Sequence, residues 1–306
     1  MKPIFVCGCE RSGTTMLGSI LGSHSSVICI PESRFFEPVY KSIMNNEYDP
    51  ETAINTIKNH IKFKLWDLVI ENGIESDLAK YPDKLIIKLI DLYKRKNNKK
   101  ANIWVDHTPL NINYLPLLNN LFPDAKMIHI VRDGRAVAAS VLKLDWGPNI
   151  VTKAATWWIS RLSYGFAAES YFNSKKIMRV YYEDLLNYPE KTLIKICEFV
   201  NIIYDKSMLS GNGFKVSEYT LKQHQLVGTK INKSRIDDWK KQLTKREVEL
   251  FESTAGKMLV YLHYKLMYPV IKQKLKLFEK LKFLFIDLFL LRINRFNNEK
   301  RKKKLI

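Results

Sequence analysis

The stretch Pro3–Arg34, PIFVCGCERSGTTMLGSILGSHSSVICIPESR, decides the fold of this chain. Its pattern predicts a buried strand over Ile4–Val6, a tight turn at Gly8, a helix from Thr14 and a second strand over Val27–Ile30. The turn has the glycine spacing of the phosphate-binding loop G-x-x-x-x-G-K-[ST], with threonine at the lysine position. Because backbone N–H groups and the positive end of a helix meet at such a turn, the stretch predicts an anion site. A glycine-containing turn without a ligand is the alternative.

The residues that open the predicted helix indicate which anion fits. In the Walker-type loop the lysine reaches the β- and γ-phosphates, and the hydroxyl that follows it binds Mg²⁺. Here the cation comes earlier, at Arg11, and Thr14 and Thr15 place two hydroxyls at the start of the helix. This set suits one phosphate-type group held by amides, hydroxyls and a single positive charge. It suits a magnesium-bound triphosphate poorly.

Composition and charge favour one large globular domain. The chain has 306 residues, of which 46% are hydrophobic, with 12 glycines and 11 prolines. The length favours one α/β domain with insertions over two equal domains, and the composition is typical of a folded globular protein. The net charge is +19, but Lys265–Ile306 contains ten Lys and three Arg against three acidic residues. More than half of the positive charge therefore belongs to a tail, and the charge does not require nucleic acid as a partner.

Targeting and redox signals favour the cytoplasm. The loop begins at residue 8, so no signal peptide is expected before it. No segment reaches the roughly 18 uninterrupted apolar residues of a membrane span. The four cysteines lack metal-binding or redox spacing, which fits a reducing compartment; they are Cys7, Cys9, Cys29 and Cys197.

The rest of the chain alternates helices with strands. Residues 35–100 form a predicted helical insertion, which either faces the substrate or packs as a helical layer. Its helices are expected over residues 35–45, 50–72 and 84–95. Further strands are predicted over 102–105, 126–131 and 177–180, with helices over 111–121, 136–142, 151–172 and 189–200. This alternation predicts a parallel sheet whose ligands bind at the carboxyl ends of the strands.

A second anion site is predicted where the strand over residues 126–131 ends. Arg132 follows that strand directly, and Ser140 lies eight residues later, about two helical turns away. If Ser140 points back from the helix, one phosphate can bridge the two side chains. Asp133 would then cap the helix or orient Arg132 or Arg135. A surface arginine in a turn is the alternative, but with the first loop the pattern predicts a nucleotide held at two separate phosphates.

Four motifs together resemble the sulfotransferases: RSGTT after the first strand, Pro-Glu-x-Arg after the next, VRDGRAVAAS and YYEDL. They are similar to the branch that includes tyrosylprotein sulfotransferases and many bacterial carbohydrate, lipid or small-molecule sulfotransferases. The resemblance covers about residues 3–245. It implies 3′-phosphoadenosine 5′-phosphosulfate (PAPS) as the donor of a sulfuryl group.

The resemblance also implies which residues hold the donor. The 5′-phosphosulfate end would be gripped by Arg11, Ser12, Gly13, Thr14 and Thr15. Arg132 and Ser140 would hold the 3′-phosphate, and Tyr182 would contact the nucleotide. Gly228, Thr229 and Lys230, followed by Arg235 and Trp239, resemble a shortened or altered version of the family's late glycine loop, which would close over the donor.

Glu32 matches the family's catalytic base, and Arg34 matches an active-site arginine near it. The chemistry agrees, because a carboxylate within hydrogen-bond reach of the acceptor can take its proton as the new bond forms. Cations such as Arg11 would stabilise the charge that grows on the departing phosphate. The alternative for Glu32 is a surface helix cap with Ser33.

His107 stands where the family has the lysine of a Lys-Thr-Pro segment. The imidazole could donate N–H or positive charge to the sulfuryl or leaving oxygens. It could instead help to deprotonate the acceptor, or simply pack at the end of the strand. The residues leave these three roles open.

Three further features allow two interpretations each. Residues 266–306 alternate Lys with Leu, Phe and Ile, and predict a basic amphipathic helix and tail that either lies on an anionic membrane surface or docks on the domain. Trp157 and Trp158 either pack in the core or contact the acceptor or the adenine. Asp145–Asn149 is either an ordinary turn or a border of the acceptor pocket.

These patterns predict an α/β fold, a P-loop-NTPase-like parallel sheet flanked by helices, with the sulfotransferase domain over residues 1–265. The predicted activity is sulfuryl transfer from PAPS to a hydroxyl or amine of a glycan, lipid or small-molecule acceptor, with Glu32 as general base and without a metal. A P-loop kinase using ATP-Mg and a non-catalytic nucleotide-binding protein are the alternatives. We expect a bacterial, cytoplasmic protein that does not bind nucleic acid, and residues 266–306 leave open whether it also contacts the inner face of a membrane peripherally.

Overall fold

The computed structural model describes residues 1–69, 79–216, 227–228, 232–269 and 275–303. At its centre, five strands form one parallel sheet in the order β2-β3-β1-β4-β5. The strands are β1 (Lys2–Gly8), β2 (Val27–Ile30), β3 (Ile103–Asp106), β4 (Lys126–Val131) and β5 (Ile177–Tyr181). The predicted parallel α/β sheet is therefore confirmed.

The central strand β1 is buried on both of its faces. It pairs with β3 on one side and with β4 on the other, so that Ile4 lies opposite Val105 and Lys126. Phe5 belongs to the core cluster on one face of the sheet, and Val6 belongs to the cluster on the other face. Because helices cover both faces, the strand sequence is a continuous apolar run rather than an alternating one.

Helices surround the sheet and connect its strands. Their bounds are α1 (Thr14–Gly22), α2 (Glu37–Met44), α3 (Pro50–Asn59), α4 (Ile61–Lys64), α5 (Pro82–Lys96), α6 (Leu115–Leu121), α7 (Gly134–Val141), α8 (Val151–Tyr171), α9 (Tyr182–Asn187), α10 (Pro189–Val200), α11 (Trp239–Gln242), α12 (Lys245–Tyr261) and α13 (Leu277–Lys303). Short 3₁₀ helices lie at Arg34–Phe36, Pro109–Tyr114, Lys206–Ser210 and Lys233–Ile236.

The insertion packs as a helical layer against one face of the sheet. Phe35, Phe36 and Trp66 are at most 1% exposed and belong to the same core cluster as Phe5. The predicted helix over residues 50–72 is broken, because His60 has an extended backbone with ψ 129°. Residues 70–72 of that prediction lie outside the described residues.

Two other helices begin differently from the prediction. The helix expected over 136–142 begins at Gly134, because the Asp133 side chain accepts a hydrogen bond from the N–H of Arg135 and caps it. The helix expected from Asn111 begins with the 3₁₀ turn Pro109–Tyr114. Both differences concern helix starts, where caps and local turns decide the boundary.

The last helix, α13, docks on the domain along one side. Asp287, 8% exposed, pairs with Lys153 of α8 at 2.6 Å and accepts a hydrogen bond from Asn149 Nδ2 at 3.3 Å. Arg246 of α12 pairs with Glu279 at 2.8 Å. In the described ranges, we find no helix with the length and apolar character needed to cross a membrane.

Candidate active site

The turn between β1 and α1 requires both of its glycines. Gly13 has φ 101°, and a Cβ there would lie 2.6 Å from the ring of Tyr182. A Cβ at Gly8 would lie 2.4 Å from the carbonyl oxygen of Ile130. The turn therefore packs closely against Ile130 and Tyr182, and α1 begins directly after it, at Thr14. Within the described ranges no side chain caps this nine-residue helix, and the N–H groups of its first turn suit an anion.

Two arginines meet beside this turn. Arg11, at φ 71°, donates from Nε to Ser140 Oγ at 3.0 Å. Arg132 donates from Nη1 to the carbonyl oxygen of Arg11 at 2.9 Å, and its guanidinium lies 4.2 Å from the ring centroid of Tyr182. Burial, followed by the neighbouring Arg132, lowers the pKa of Arg11. The structure thus brings Arg11, Arg132 and Ser140 together, with Arg11 in contact with both of the other residues.

A buried ion-pair network supports the turn that carries Arg132. Asp133 pairs with Arg135 at 2.7 Å, and Arg135 also pairs with Glu252 of α12 at 2.5 Å. Glu183 of the YYEDL motif accepts a hydrogen bond from the N–H of Asp133 at 3.0 Å, and burial raises the pKa of this carboxyl. Of the roles expected for Asp133, the structure therefore shows the helix cap and the partner of Arg135.

The carboxylate of Glu32 lies beyond the end of β2, within reach of a lysine from the insertion. Lys62 Nζ is 3.3 Å from Glu32 Oε2, and the two side chains are 17% and 20% exposed. Trp66 Nε1 donates to the Glu32 carbonyl oxygen at 3.5 Å. Ser33 precedes the 3₁₀ helix Arg34–Phe36, but its side chain makes no cap hydrogen bond; its hydroxyl instead donates a short hydrogen bond to Asp106 at the end of β3. The neighbouring strand ends therefore fix the backbone that carries Glu32.

These residues surround one cavity of about 600 Å³ at the carboxyl ends of the strands. Its wall includes eight of the residues predicted for the site: Arg11, Gly13, Thr14, Thr15, Glu32, Arg34, Arg132 and Tyr182. The charged side chains of the wall are five cations and three carboxylates: Arg11, Arg34, Lys62, Arg132 and Arg161 against Glu10, Glu32 and Glu37. The volume lies within the range of about 300–1,000 Å³ found for ligand pockets, and the positive excess favours an anionic ligand.

Lys62 reaches the cavity because the chain breaks at His60. The ring Nδ1 of His60 accepts a hydrogen bond from the N–H of Lys62 at 3.0 Å and so caps α4. Burial, followed by Arg34 and Lys62, lowers the pKa of His60. Sequence reasoning missed Lys62, and its one available signal was indirect: a family lysine is absent at position 107.

His107 packs beneath the cavity and is not among the residues that line it. Its side chain is 1% exposed, and its ring centroid lies 5.0 Å from that of Phe214. A Cβ at Gly18 of α1 would lie 2.7 Å from His107 Cβ. Burial lowers the pKa of His107, although Glu32 and Asp106 act in the opposite direction. Of the three roles left open by the sequence, this environment favours packing at the end of the strand.

The remaining predicted donor residues lie behind or beside the wall. Ser12 is fully buried, and Ser140 is held by Arg11. Gly228, at φ 75°, follows Val227, which lines the cavity. Thr229 and Lys230 lie outside the described residues.

The two adjacent tryptophans divide between cavity and core. Trp157 lines the cavity, whereas Trp158 is fully buried. Trp146 and Gly147, from the loop predicted to border the acceptor, also line the cavity. Arg161, one turn after Trp157, pairs with Glu10 at 3.1 Å. This side of the cavity is therefore aromatic as well as charged.

Cysteine chemistry is not available next to the turn. All four cysteines of the chain are free and buried. Burial raises the pKa of the Cys7, Cys9 and Cys29 thiols, which keeps them protonated and unreactive. Among the residues that the structure describes, no three His, Cys, Asp or Glu side chains are grouped to hold a metal ion.

The amino-acid sequence matches the profile of the sulfotransferase family over residues 3–206. It is 26% identical to protein-tyrosine sulfotransferase A of Caenorhabditis elegans over 247 residues, which cover 79% of this chain and 58% of that protein. It is 22% identical to protein-tyrosine sulfotransferase 2 of Gallus gallus, with 68% of this chain and 53% of that protein covered. The chain thus spans little more than half the length of these two relatives.

Solved structures show the same fold. The sulfotransferase domain from the curacin biosynthetic pathway superposes with a TM-score of 0.55 at 18% identity, covering 86% of this chain and 98% of that domain. The sulfotransferase domain of the Synechococcus PCC 7002 olefin synthase gives a TM-score of 0.55 at 19% identity, covering 87% and 95%. This similarity concerns the fold, and the family match over residues 3–206 shows that the chain belongs to the sulfotransferase family.

Proposed function

We propose that this member of the sulfotransferase family transfers a sulfuryl group from PAPS to a hydroxyl or amine of an acceptor. One observation carries the proposal. The anion-binding turn, the paired Arg11 and Arg132, and the carboxylate of Glu32 all line a single cavity. A donor held by its phosphates would therefore lie beside a group able to take a proton from the acceptor.

The residues of the turn fit a PAPS-type donor. The ring of Tyr182 packs closely on Gly13, where a Cβ would lie 2.6 Å from it, and the N–H groups at the start of α1 suit a phosphate-type group. Arg11 and Arg132 supply two positive charges, and Ser140 lies behind Arg11. PAPS would bring the sulfuryl group, and its nucleotide product would leave with a negative charge that these cations stabilise. We also assign Tyr182 to the nucleotide, because its ring already stacks on Arg132.

We assign the chemistry to Glu32, with Lys62 as its partner. Glu32 would take the proton of the acceptor, and Arg34, which lines the same wall, would help to orient the reactants. Lys62 holds the carboxylate of Glu32. It also places a positive charge in the cavity, as the family lysine replaced here by His107 would have done. His107 contributes packing beneath the site rather than a proton.

A P-loop kinase remains the enzymatic alternative, and the residues disfavour it. The turn has Thr14 in place of the lysine that a Walker-type loop uses for the β- and γ-phosphates. A nucleotide-binding protein without turnover is disfavoured by the position of Glu32 in the cavity wall. Neither alternative accounts for Glu32 and Lys62 together.

We propose a glycan, lipid or small molecule as the acceptor, bound between the turn and the aromatic side of the cavity. Trp146 and Trp157 line that side, and Ile61 and Lys62 enter from the insertion. A cytoplasmic location in a bacterium stays an expectation, and the four free cysteines suit a reducing compartment.

The test is transfer of label from ³⁵S-labelled PAPS. The purified chain is incubated with separate pools of glycans, extracted lipids and small hydroxyl or amine compounds, in the presence of a chelator. We expect labelled product from at least one pool, with a matching release of adenosine 3′,5′-bisphosphate (PAP). Transfer of ³²P from γ-labelled ATP-Mg, without transfer of ³⁵S, would overturn the proposal in favour of a kinase.

A further inference from the structure

The helix α13 has one docked stripe and one exposed stripe. Residues on its inner side recur every three or four positions and face the domain; they are Glu279, Phe283, Asp287, Leu290, Asn294 and Asn298. Within that stripe, Asp287 is anchored by Lys153 and Asn149, and Asn294 donates to Asn149 Oδ1 at 2.9 Å. The docking fixes which residues of α13 point outward.

The outward stripe of α13 is apolar and aromatic. Large side chains recur there at helical spacing and are exposed by 54–76%: Phe278, Leu281, Phe285, Leu288, Phe289 and Phe296. The rings of Phe285 and Phe289 lie parallel, with centroids 6.0 Å apart. A contiguous exposed stripe of this kind is uncommon on a soluble monomer and marks a contact surface.

The charge of α13 indicates what covers the stripe. From Leu277 to Lys303 there are eight Lys and Arg against three acidic residues, a net charge of +5. Glu279 and Asp287, two of those acids, are already paired with Arg246 and Lys153 of the domain. A partner that meets the outward stripe therefore meets almost only positive charge. A second copy of this helix would bring like charges together, whereas an anionic lipid surface would neutralise them.

We propose that α13 lies on an anionic membrane surface, with its aromatic stripe among the lipid headgroups and its basic side chains on their phosphates. Long apolar side chains with interleaved Lys and Arg are the chemistry of helices that lie in the membrane interface. Binding of α13 to a membrane does not depend on the proposed catalysis.

The same helix connects the membrane to the active site. Asn298, in the last part of α13, lines the cavity that contains Glu32. Binding of α13 to a membrane would therefore hold the mouth of the cavity close to the lipid headgroups. We therefore assign the acceptor to a headgroup hydroxyl or amine of a membrane lipid, and this assignment rests on the proposed sulfuryl transfer.

Vesicle co-sedimentation of the full chain tests the membrane surface. We expect binding to vesicles of equal parts phosphatidylglycerol and phosphatidylcholine, weakening in high salt, and little binding to phosphatidylcholine alone. The double variant Phe285→Ser/Phe289→Ser should bind at least roughly ten-fold more weakly, because two aromatic side chains no longer enter the interface. Ile203→Ser, which changes an 87% exposed residue far from α13 in sequence, serves as the matched control and should bind like wild type.

Two results would overturn the membrane surface. One is equal vesicle binding by wild type and the double variant. The other is a dimer in sedimentation velocity that the double variant converts to monomer, together with no vesicle binding by wild type, since the stripe would then join two copies. Far-ultraviolet circular dichroism should match among the variants, because only exposed side chains change.

The acceptor is tested on the same vesicles with ³⁵S-labelled PAPS and headgroups that carry hydroxyls or amines. Label in the organic extract, reduced in the double variant, supports a lipid acceptor. Label confined to a soluble acceptor pool overturns it. Calorimetry with PAP on wild type and on the double variant separates the two proposals. PAP binding without vesicle binding would contradict only the membrane contact of α13. Failure to bind PAP would contradict the proposed sulfuryl transfer.

Discussion

The pair Glu32–Lys62 joins two parts of the chain that the sequence keeps thirty residues apart. Glu32 comes from the end of β2, where Ser33 and Asp106 tie the neighbouring strands. Lys62 comes from the insertion, through the break at His60. Each side chain is only about one-fifth exposed, so the pair lies in the wall of the cavity and not on an open surface. The proposed chemistry therefore depends on both the sheet and the insertion.

Replacing Glu32 by Gln is expected to lower kcat by about 10²- to 10⁴-fold, because the amide cannot accept the proton of the acceptor. The dissociation constant for PAP should stay close to that of wild type. Glu37→Gln is the matched control, because Glu37 also lines the cavity but pairs with Lys41 at 2.9 Å. Steady-state kinetics with ³⁵S-labelled PAPS measures kcat, and an equal loss in both variants would argue against a specific base at Glu32.

Replacing Lys62 by Met is expected to lower kcat by about 100-fold, in the range found for removing one electrostatic contact to a transition state. Lys62→Arg should restore part of the activity, because the positive charge returns.

His107→Leu should keep kcat within a few-fold and reduce the free energy of unfolding by ~1–3 kcal/mol, as for other buried polar replacements. Full activity of Lys62→Met with an inactive but folded His107→Leu would reverse the two assignments.

At the scale of single elements, the turn into α1 is the least tolerant of substitution, because of Gly13. Gly13 combines a φ of 101° with the ring of Tyr182 close by, so its place is set by both backbone strain and contact. Gly211 also has positive φ, 62°, but a Cβ there would meet nothing nearer than 3.7 Å. Substitution of Gly211 therefore tests backbone strain alone, whereas substitution of Gly13 tests backbone strain together with a steric clash.

Gly13→Ala is expected to weaken PAP binding at least ten-fold, because the added methyl group moves Tyr182 and with it the stacked Arg132. Gly211→Ala should lose about 1–3 kcal/mol of stability from backbone strain and keep PAP binding. Calorimetry and urea unfolding measure the two effects. Unchanged PAP binding in Gly13→Ala would show that the turn does not hold the nucleotide.

The contacts of Glu169 with two neighbouring strands make the stability of the fold depend on pH. Glu169 of α8 lies 2.7 Å from His129 Nδ1 on β4 and 3.0 Å from Arg179 Nε on β5. Burial alone would raise the pKa of this carboxyl, but the hydrogen bonds of His129 and Arg179 lower it from 4.5 to about 2. A carboxyl with a lowered folded-state pKa stabilises the fold above its unfolded pKa, and this stabilisation is lost as the pH falls from about 5 to about 2.

Glu169→Gln should therefore lower the free energy of unfolding by up to about 3 kcal/mol at pH 7. At pH 3 the difference between variant and wild type should be clearly smaller. Urea unfolding at the two pH values provides the measurement. A difference that is constant with pH would mean that the contribution of Glu169 does not depend on its charge.

Individual elements show why some features can be predicted and others cannot. The strands Val27–Ile30 and Lys126–Val131 and the helix Pro189–Val200 match their predicted bounds, because turn residues or proline flank short apolar runs. The break at His60 carries no glycine or proline and depends on packing of the insertion. The contact of Arg11 with Ser140, 129 positions apart, depends on the parallel pairing of β1 with β4 and has no local signal.

At the scale of the whole molecule, the turn into α1 and the basic helix α13 border the same cavity. The ends of β1, β2 and β4 supply the turn, Glu32 and Arg132, and α13 reaches the same cavity through Asn298. The parallel sheet could be predicted because alternating helices and strands allow few topologies. The docking of α13 could not, because an alternating Lys and Leu pattern suits both a membrane surface and a protein surface until Asp287 is seen paired with Lys153.

Titration calorimetry with PAP and with ATP-Mg tests the central claim most directly. If the cavity is built for one phosphosulfate donor, PAP should bind one-to-one in the presence of a chelator, and far more tightly than ATP-Mg binds in magnesium buffer. Excess PAP at 100 times its dissociation constant should also stabilise the fold by about 2.7 kcal/mol. Tight binding of ATP-Mg with no response to PAP would contradict the assignment of the turn, of Arg132 and of the donor.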